Sequence, residues 1–207
     1  TAFGSPTYAA GYVGSALDLD GTEDFVTLPS GVANSDAITV AAWVKWNGGA
    51  SWQRIFDFGT GTWDFLYLTP SSGNGVLRFA IKTGGGAEQF VETTALAVGT
   101  WKYVAVTLGG GTSTLYVNGA PVATNSAVTI KPSDFKPGAN YIGKSQYGGD
   151  ALFNGRIDEF RVYNYALSAG AVAALAAQVP EMTPPAAPTG LSATIGDKAV
   201  NLDWADN

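Results

Sequence analysis

Ile38-Thr39-Val40-Ala41-Ala42-Trp43-Val44-Lys45-Trp46 places β-branched and aromatic side chains on both faces of an extended chain. Successive strand residues point to opposite sides. Ile38, Val40, Ala42, Val44 and Trp46 therefore share one face, and Thr39, Ala41, Trp43 and Lys45 the other. Shorter runs of the same kind recur at close intervals: Ala16–Asp20, Phe25–Leu28, Arg54–Phe58, Asp64–Thr69, Val76–Lys82, Gln89–Thr93, Trp101–Leu108, Thr114–Val117, Pro121–Thr124, Asn140–Gly143 and Gly155–Tyr163. Glycine and proline punctuate them, and Asn118-Gly119 suits a type I′ hairpin turn. No helical pattern lies between the runs, so the pattern predicts an all-β chain of two antiparallel sheets packed as a sandwich. One short C-terminal helix is expected after Ser168, an N-cap residue leading into Ala169–Ala177.

Composition removes whole classes of chemistry. The 207 residues contain no Cys and no His. Disulfides, thiol nucleophiles, histidine triads and the usual zinc sites are therefore excluded. The formal net charge is −6, which attracts neither nucleic acid nor an anionic membrane. No apolar run is long enough for a transmembrane helix.

Beyond the helix the composition shifts. Val179 to Pro188 is proline-rich and reads as a linker, giving a sandwich over 1–177 and a linker over 178–188. Residues 189–207 then read as two strands, around Leu191–Thr194 and Val200–Trp204, joined at Gly196-Asp197. Two strands cannot enclose a sandwich core, so this tail is not expected to form a domain of its own. The chain reads as a segment of a larger protein.

Four stretches carry a resemblance. They are Gly14-Ser15-Ala16-Leu17-Asp18-Leu19-Asp20-Gly21 with Asp24-Phe25-Val26; Ile38 to Lys45; Gly99-Thr100-Trp101 to Thr107 running into Leu115-Tyr116-Val117-Asn118-Gly119; and Asn154-Gly155-Arg156-Ile157-Asp158-Glu159-Phe160 to Asn164, followed by Ala166-Leu167-Ser168. In order and spacing they resemble the laminin-G-like, concanavalin A-like jelly rolls of bacterial multidomain glycoside hydrolases. Arg54-Ile55-Phe56-Asp57-Phe58-Gly59 and Lys144-Ser145-Gln146-Tyr147 resemble the version appended to enzymes that trim plant-type polysaccharides. Pro188 to Ala193 and Val200 to Trp204 resemble the first two strands of a fibronectin type III domain. The resemblance implies a non-catalytic carbohydrate-binding module that tethers a secreted, extracellular hydrolase to polysaccharide, with other domains of the same parent chain as neighbours. A spacer or adhesion module with a protein partner, and a hydrolase, are the alternatives.

Jelly-roll glucanases use two glutamates on one strand face. Here only Glu88 and Glu92 share a face at suitable spacing, with Phe90 between them. A regular strand sets them roughly 13 Å apart, beyond the roughly 5–9.5 Å that glycoside hydrolysis needs, so they read as solvated strand charges. Without Cys or His, the only fitting metal is an oxygen-ligated ion such as Ca²⁺. Asp18, Asp20 and Asp24 surround the Gly21 turn. In the resembled family the first strand and the Gly155–Asp158 strand lie side by side, which would let Asp158 join a structural Ca²⁺ site with Asp20 and Asp24. The alternative is that Asp20 hydrogen-bonds its own turn while Asp158 pairs with Arg156 or Arg161.

Sugar rings stack on aromatic faces, and their hydroxyls suit planar polar partners. Trp52-Gln53-Arg54-Ile55-Phe56-Asp57, Trp63, and Gln146-Tyr147-Gly148-Gly149-Asp150 bring both kinds of group together. The candidate ligand contacts are Trp52, Arg54, Asp57, Trp63, Gln146, Tyr147 and Asp150. For Trp63, packing in the core or at a sheet edge is favoured over ligand stacking. A direct Arg54–Asp57 pair is not expected, because strand residues three apart face opposite sides. Trp43, Trp46 and Trp101 sit inside strands and belong to packing.

Overall fold

The computed structural model describes residues 1–178 with their side chains and residues 189–196 and 199–205 as backbone. In chain order the strands are β1 (Ala2–Phe3), β2 (Thr7–Ala10), β3 (Ser15–Asp20), β4 (Phe25–Leu28), β5 (Ile38–Trp46), β6 (Phe56–Gly61), β7 (Asp64–Thr69), β8 (Val76–Lys82), β9 (Gln89–Thr94), β10 (Trp101–Gly109), β11 (Thr112–Val117), β12 (Ala120–Asn125), β13 (Ala139–Ile142) and β14 (Asn154–Tyr163). Helix α1 (Ala169–Ala176) follows, then β15 (Thr189–Gly196) and β16 (Ala199–Ala205). Two seven-stranded sheets face each other. One runs β1-β4-β13-β6-β7-β8-β9 and the other β12-β11-β10-β5-β14-β3-β2. Every pairing is antiparallel. This is the expected two-sheet antiparallel jelly-roll sandwich with one short helix.

The core lies between the sheets. Val40, Ala42, Val44 and Trp46 of β5 meet Phe56 and Phe58 of β6, Leu66 and Leu68 of β7, and Phe79 and Ile81 of β8. The other face of β5 is also covered. Ala41 and Trp43 join Tyr103, Ala105, Tyr116 and Val172 in a second cluster, and Tyr12 stacks on Trp43 with ring centroids 3.4 Å apart. Central position between β10 and β14 explains why β5 is apolar on both sides. Helix α1 starts where expected, with Ser168 Oγ accepting from the Ala171 amide at 3.2 Å. It docks through Val172, which is fully buried.

The first sheet leaves its outer face less covered. Residues opposite one another across β6, β7, β8 and β9 alternate between the core and this face. Asp57 lies beside Tyr67, Tyr67 beside Ala80 and Ala80 beside Phe90. Phe65, Tyr67 and Ala80 form a small cluster there, capped by Trp52. β6 begins at Phe56, not at Arg54, and the short strands β1 and β2 escaped the sequence reading. β15 and β16 pair antiparallel with Gly196 opposite Ala199, where two strands were expected. The linker residues 179–188, and the tail's side chains, lie outside the described residues.

Phe58 is fully buried, with its ring centroid 4.8 Å from that of Phe56. Phe58→Ala should cost about 3–5 kcal/mol, the range for a large aromatic truncated in a core. Urea unfolding should show a lower midpoint at unchanged slope; a loss below about 1 kcal/mol would mean that the core is loosely packed there.

Candidate functional site

Two loops close over the outer face of the first sheet. One precedes β6 and carries Trp52 and Arg54. The other follows β13 and carries Ser145 to Asp150. Trp52 holds a positive φ of 66°, an uncommon conformation for a bulky residue. Its amide donates to the Ser71 carbonyl at 2.9 Å. Gly73 gives its indole room: a Cβ there would stand 3.1 Å from the Trp52 ring nitrogen. Strain of this kind persists only where the surroundings enforce it.

Arg54 joins the two loops. Its guanidinium is buried, 2% exposed. Nε donates to Asp57 Oδ2 at 3.3 Å, NH1 to the Trp52 carbonyl at 2.6 Å, and NH2 pairs with Asp150 Oδ2 at 3.1 Å. Its plane lies 4.0 Å over the Tyr67 ring. Asp57 Oδ2 also accepts from the Gln146 amide at 3.1 Å. Asp150 Oδ2 accepts from Ser145 Oγ at 2.7 Å, and the same Oγ accepts from the Tyr147 amide at 3.0 Å. Tyr147 packs edge-on to Phe65 and donates its hydroxyl to the Thr62 carbonyl at 3.2 Å.

The result is a pocket of about 210 Å³ walled by Trp52, Arg54, Tyr67, Glu88, Tyr147 and Asp150. Glu88 is held by Arg78 NH2 at 2.9 Å and by the Tyr67 hydroxyl at 3.3 Å. Burial, with the Glu88 charge as a second cause, pushes the Tyr67 hydroxyl well above the usual phenol range, so it stays a donor. Desolvation pushes Asp57 up to about 7, although Arg54 and the Gln146 amide pull the other way. Asp57 Oδ1 is buried without a partner.

Of the candidates, Trp52, Arg54, Tyr147 and Asp150 converge on this pocket. Asp57 does not reach it; it is 1% exposed and anchors Arg54 from beneath. The expectation that Arg54 and Asp57 would not pair is corrected: Arg54 precedes the strand, so strand alternation does not govern it. Gln146 holds the β13 backbone through Nε2 to the Ala139 carbonyl at 2.7 Å and forms no part of the wall. Trp63 is 69% exposed on the β6–β7 turn, outside the pocket and beside Gly85, whose amide bonds the Trp63 carbonyl. Tyr67 was not singled out as a contact, although its outward strand position is the signal that finds it. Glu88 was weighed only as a catalytic acid.

The Glu88–Glu92 reading changes as well. Arg78, opposite Glu92 across β8 and β9, takes an oxygen of each carboxylate, at 2.9 and 3.4 Å. They are a bridged pair, not independent solvated charges.

Asp20, Asp24 and Asp158 do not form one site. Asp158 accepts the Val13 and Glu159 amides, each at 2.8 Å. Asp24 accepts the Ser5 amide at 2.7 Å and the Asp20 amide at 3.3 Å. Asp20 accepts the Thr22 amide at 2.8 Å together with the Thr22 hydroxyl, and these bonds hold it down at about 2. Asn154 lies opposite Asp20, so Asp158, four residues along the same strand, is displaced by roughly 13 Å. Among the described residues no three acidic side chains are grouped so as to hold a metal ion. Neither expected arginine pairs with Asp158: Arg156 binds Asp18 and Arg161 binds Glu159.

A family model described as the concanavalin A-like lectin/glucanases superfamily matches residues 20–173. No protein of curated function shows significant sequence similarity to the chain. Among solved structures, domain 4 of AbnA, a GH43 extracellular arabinanase from Geobacillus stearothermophilus in complex with arabinotriose, superposes with a TM-score of 0.73 at 23% identity, covering 84% of this chain and 82% of that one. The CBM40 of the Ruminococcus gnavus IT-sialidase, bound to α2,3-sialyllactose, gives 0.61 at 19% identity, covering 73% and 96%. A SAP-like pentraxin from Limulus polyphemus gives 0.53 at 17% identity, covering 87% and 83%.

Asp57 binds its proton more tightly in the folded state, near 7, than in the unfolded chain, near 3.8. Its contribution to stability is therefore full below about pH 4 and is lost as pH rises through 7. Asp57→Asn stays neutral and should lack that loss. Melting temperatures of the two proteins between pH 4 and 8 isolate Asp57 from other carboxylates. The wild type should lose stability relative to the variant as pH rises; a constant difference would show that the carboxyl does not titrate there.

Proposed function

The chain belongs to the concanavalin A-like lectin/glucanases superfamily, and from that premise we propose that it is a non-catalytic carbohydrate-binding module. The observation that carries the reading is the pocket on the outer face of the first sheet, where the exposed Tyr147 ring and the Trp52 indole flank the carboxylates of Glu88 and Asp150. Aromatic faces stack on the apolar faces of a sugar, and carboxylates accept from its hydroxyls. The similar arabinanase domain and sialidase module carry sugars in their solved complexes, which supports the reading. The module would tether an extracellular polysaccharide-degrading parent to its substrate.

A hydrolytic role fits less well. Glycoside hydrolysis needs one carboxyl free to protonate the leaving oxygen and a second to attack or to activate water. Arg78 occupies the space between Glu88 and Glu92, and Glu92 is no part of the pocket wall. A passive spacer would not need a strained tryptophan and a buried arginine to build a pocket.

Tyr147 is 39% exposed, so its ring can be removed with little effect on the core. Tyr147→Ala should weaken retention in a polysaccharide affinity gel about tenfold, or about 1.4 kcal/mol. Tyr147→Phe keeps the ring, loses only the bond to Thr62, and should bind within about twofold of the parent. Parent-like binding by the alanine variant, with an unchanged melting temperature, would remove the site assignment.

A further inference from the structure

The polarity of the same pocket says which sugars it admits. The carboxylates of its wall accept hydrogen bonds, and the one cation of its wall is already ion-paired. Arg54 gives Nε to Asp57, NH1 to Trp52 and NH2 to Asp150, so its charge is already met by two carboxylates, and 2% of its surface is exposed. The Tyr67 hydroxyl donates to Glu88. Arg78, beside the pocket, is divided between Glu88 and Glu92. The charged groups left for a ligand are the carboxylates: Glu88, with 28% of its side chain exposed, and Asp150, with 22%. Asp150 uses only Oδ2 for Arg54 and Ser145.

Charge points the same way. Around the pocket the carboxylates of Glu88, Glu92 and Asp150 stand against the guanidiniums of Arg54 and Arg78, before the buried Asp57, pushed up to about 7, is counted. The whole chain carries −6. Two lysines with no carboxylate partner among the described residues stand nearby but outside the wall. Lys82 lies over the Phe65 ring, and Lys144 over Phe25 and Tyr141. Lys144 lines a separate depression on the far side of the Tyr147–Asp150 loop. A carboxylate or sulfate entering the pocket would meet two carboxylates, no unpaired cation in the wall, and repulsion in a partly desolvated site, where like charges are screened less than in water. A neutral ring would present hydroxyl donors to those acceptors.

We propose that the pocket is specific for neutral, hydroxyl-rich oligosaccharides and rejects sugars bearing a carboxylate or sulfate. This rests on the reading that the pocket binds sugar at all, and it adds the substrate class. Rejection by like charge is a common basis of specificity, and Glu88, 28% exposed although it shares Arg78 with Glu92, supplies it here without being needed to hold Arg54.

The test is a glycan array carrying neutral oligosaccharides together with uronate- and sialate-bearing ones. Calorimetric titration of a neutral hit against its matched uronate then follows. Hits should be confined to neutral sugars, with a preference of at least tenfold in titration. Glu88→Gln removes the charge and keeps the shape, so it should narrow that preference several-fold. Tyr147→Ala should weaken both ligands alike. Hits that carry a carboxylate, or a preference unchanged in Glu88→Gln, overturn this specificity while leaving sugar binding in place. An array blank for both classes removes sugar binding and this inference with it.

Discussion

Arg54 is a charge placed inside the protein, and the site takes its form from the need to keep that charge paired. A buried guanidinium without partners would be very costly. Here Asp57 and Asp150 neutralise it, the Trp52 carbonyl takes a further donor, and the Tyr67 ring lies against its face. These partners come from a loop, a strand, a second loop and a neighbouring strand. Breaking a buried pair by removing one partner typically costs about 3–5 kcal/mol, even where replacing the whole network by apolar groups would not. Such a network contributes less to net stability than to position. It fixes where Trp52 and the Tyr147–Asp150 loop stand relative to the sheet.

A two-layer sandwich gives each sheet one face against the core and leaves the other to be covered or solvated. The two sheets resolve this differently. The sheet containing β5 places Ala41, Trp43 and Tyr103 outward, and Tyr12 and α1 bury them. The sheet containing β6 to β9 places Asp57, Phe65, Tyr67 and Arg78 outward, and the loops carrying Trp52 and Tyr147–Asp150 reach over part of that face. Trp43 and Trp52 show the contrast. Trp43 is 6% exposed beneath a helix-covered cluster, whereas Trp52 stands on the outer-face cluster and walls a pocket. The helix closes one outer face, and the pocket lies on the opposite one.

Much of this was legible in the sequence, for physical reasons that differ from element to element. β5 was readable because period-two alternation is set by the pleat alone, and the faces assigned to Ile38–Trp46 are the faces observed. Ser168 was readable because an N-cap needs only a local acceptor. The convergence of Trp52, Arg54, Tyr147 and Asp150 was legible as composition, aromatics beside polar planar groups. Their division of labour was not. Whether Arg54 faces a ligand or Asp57 depends on where β6 begins, and a two-residue shift in that start reverses the answer. Gln146 could not be assigned to the Ala139 carbonyl without knowing that the loop folds back on β13. Asp20 and Asp158 were grouped because their strands are neighbours, which they are; but register places Asn154, not Asp158, opposite Asp20, and register between distant strands is not written locally.

The same geometry limits how tightly such a site can bind. A pocket of about 210 Å³ receives little more than one ring. Each hydrogen bond to it nets about 0.5–1.5 kcal/mol against water. One stacked aromatic with two or three such bonds gives a Kd between about 1 mM and about 1 μM. The rigidity conferred by Arg54 raises this affinity only by lowering the ordering cost of the loops. Weak binding at a single rigid site still suits a chain that presents many identical rings, because a ring released from the pocket is replaced by its neighbour. Joined to a second binding unit in one parent chain, the module gains from effective concentration without any new contact. Under the proposed specificity, which ring the pocket refuses is set by carboxylates held in place, Glu88 by Arg78 and Asp150 by Arg54.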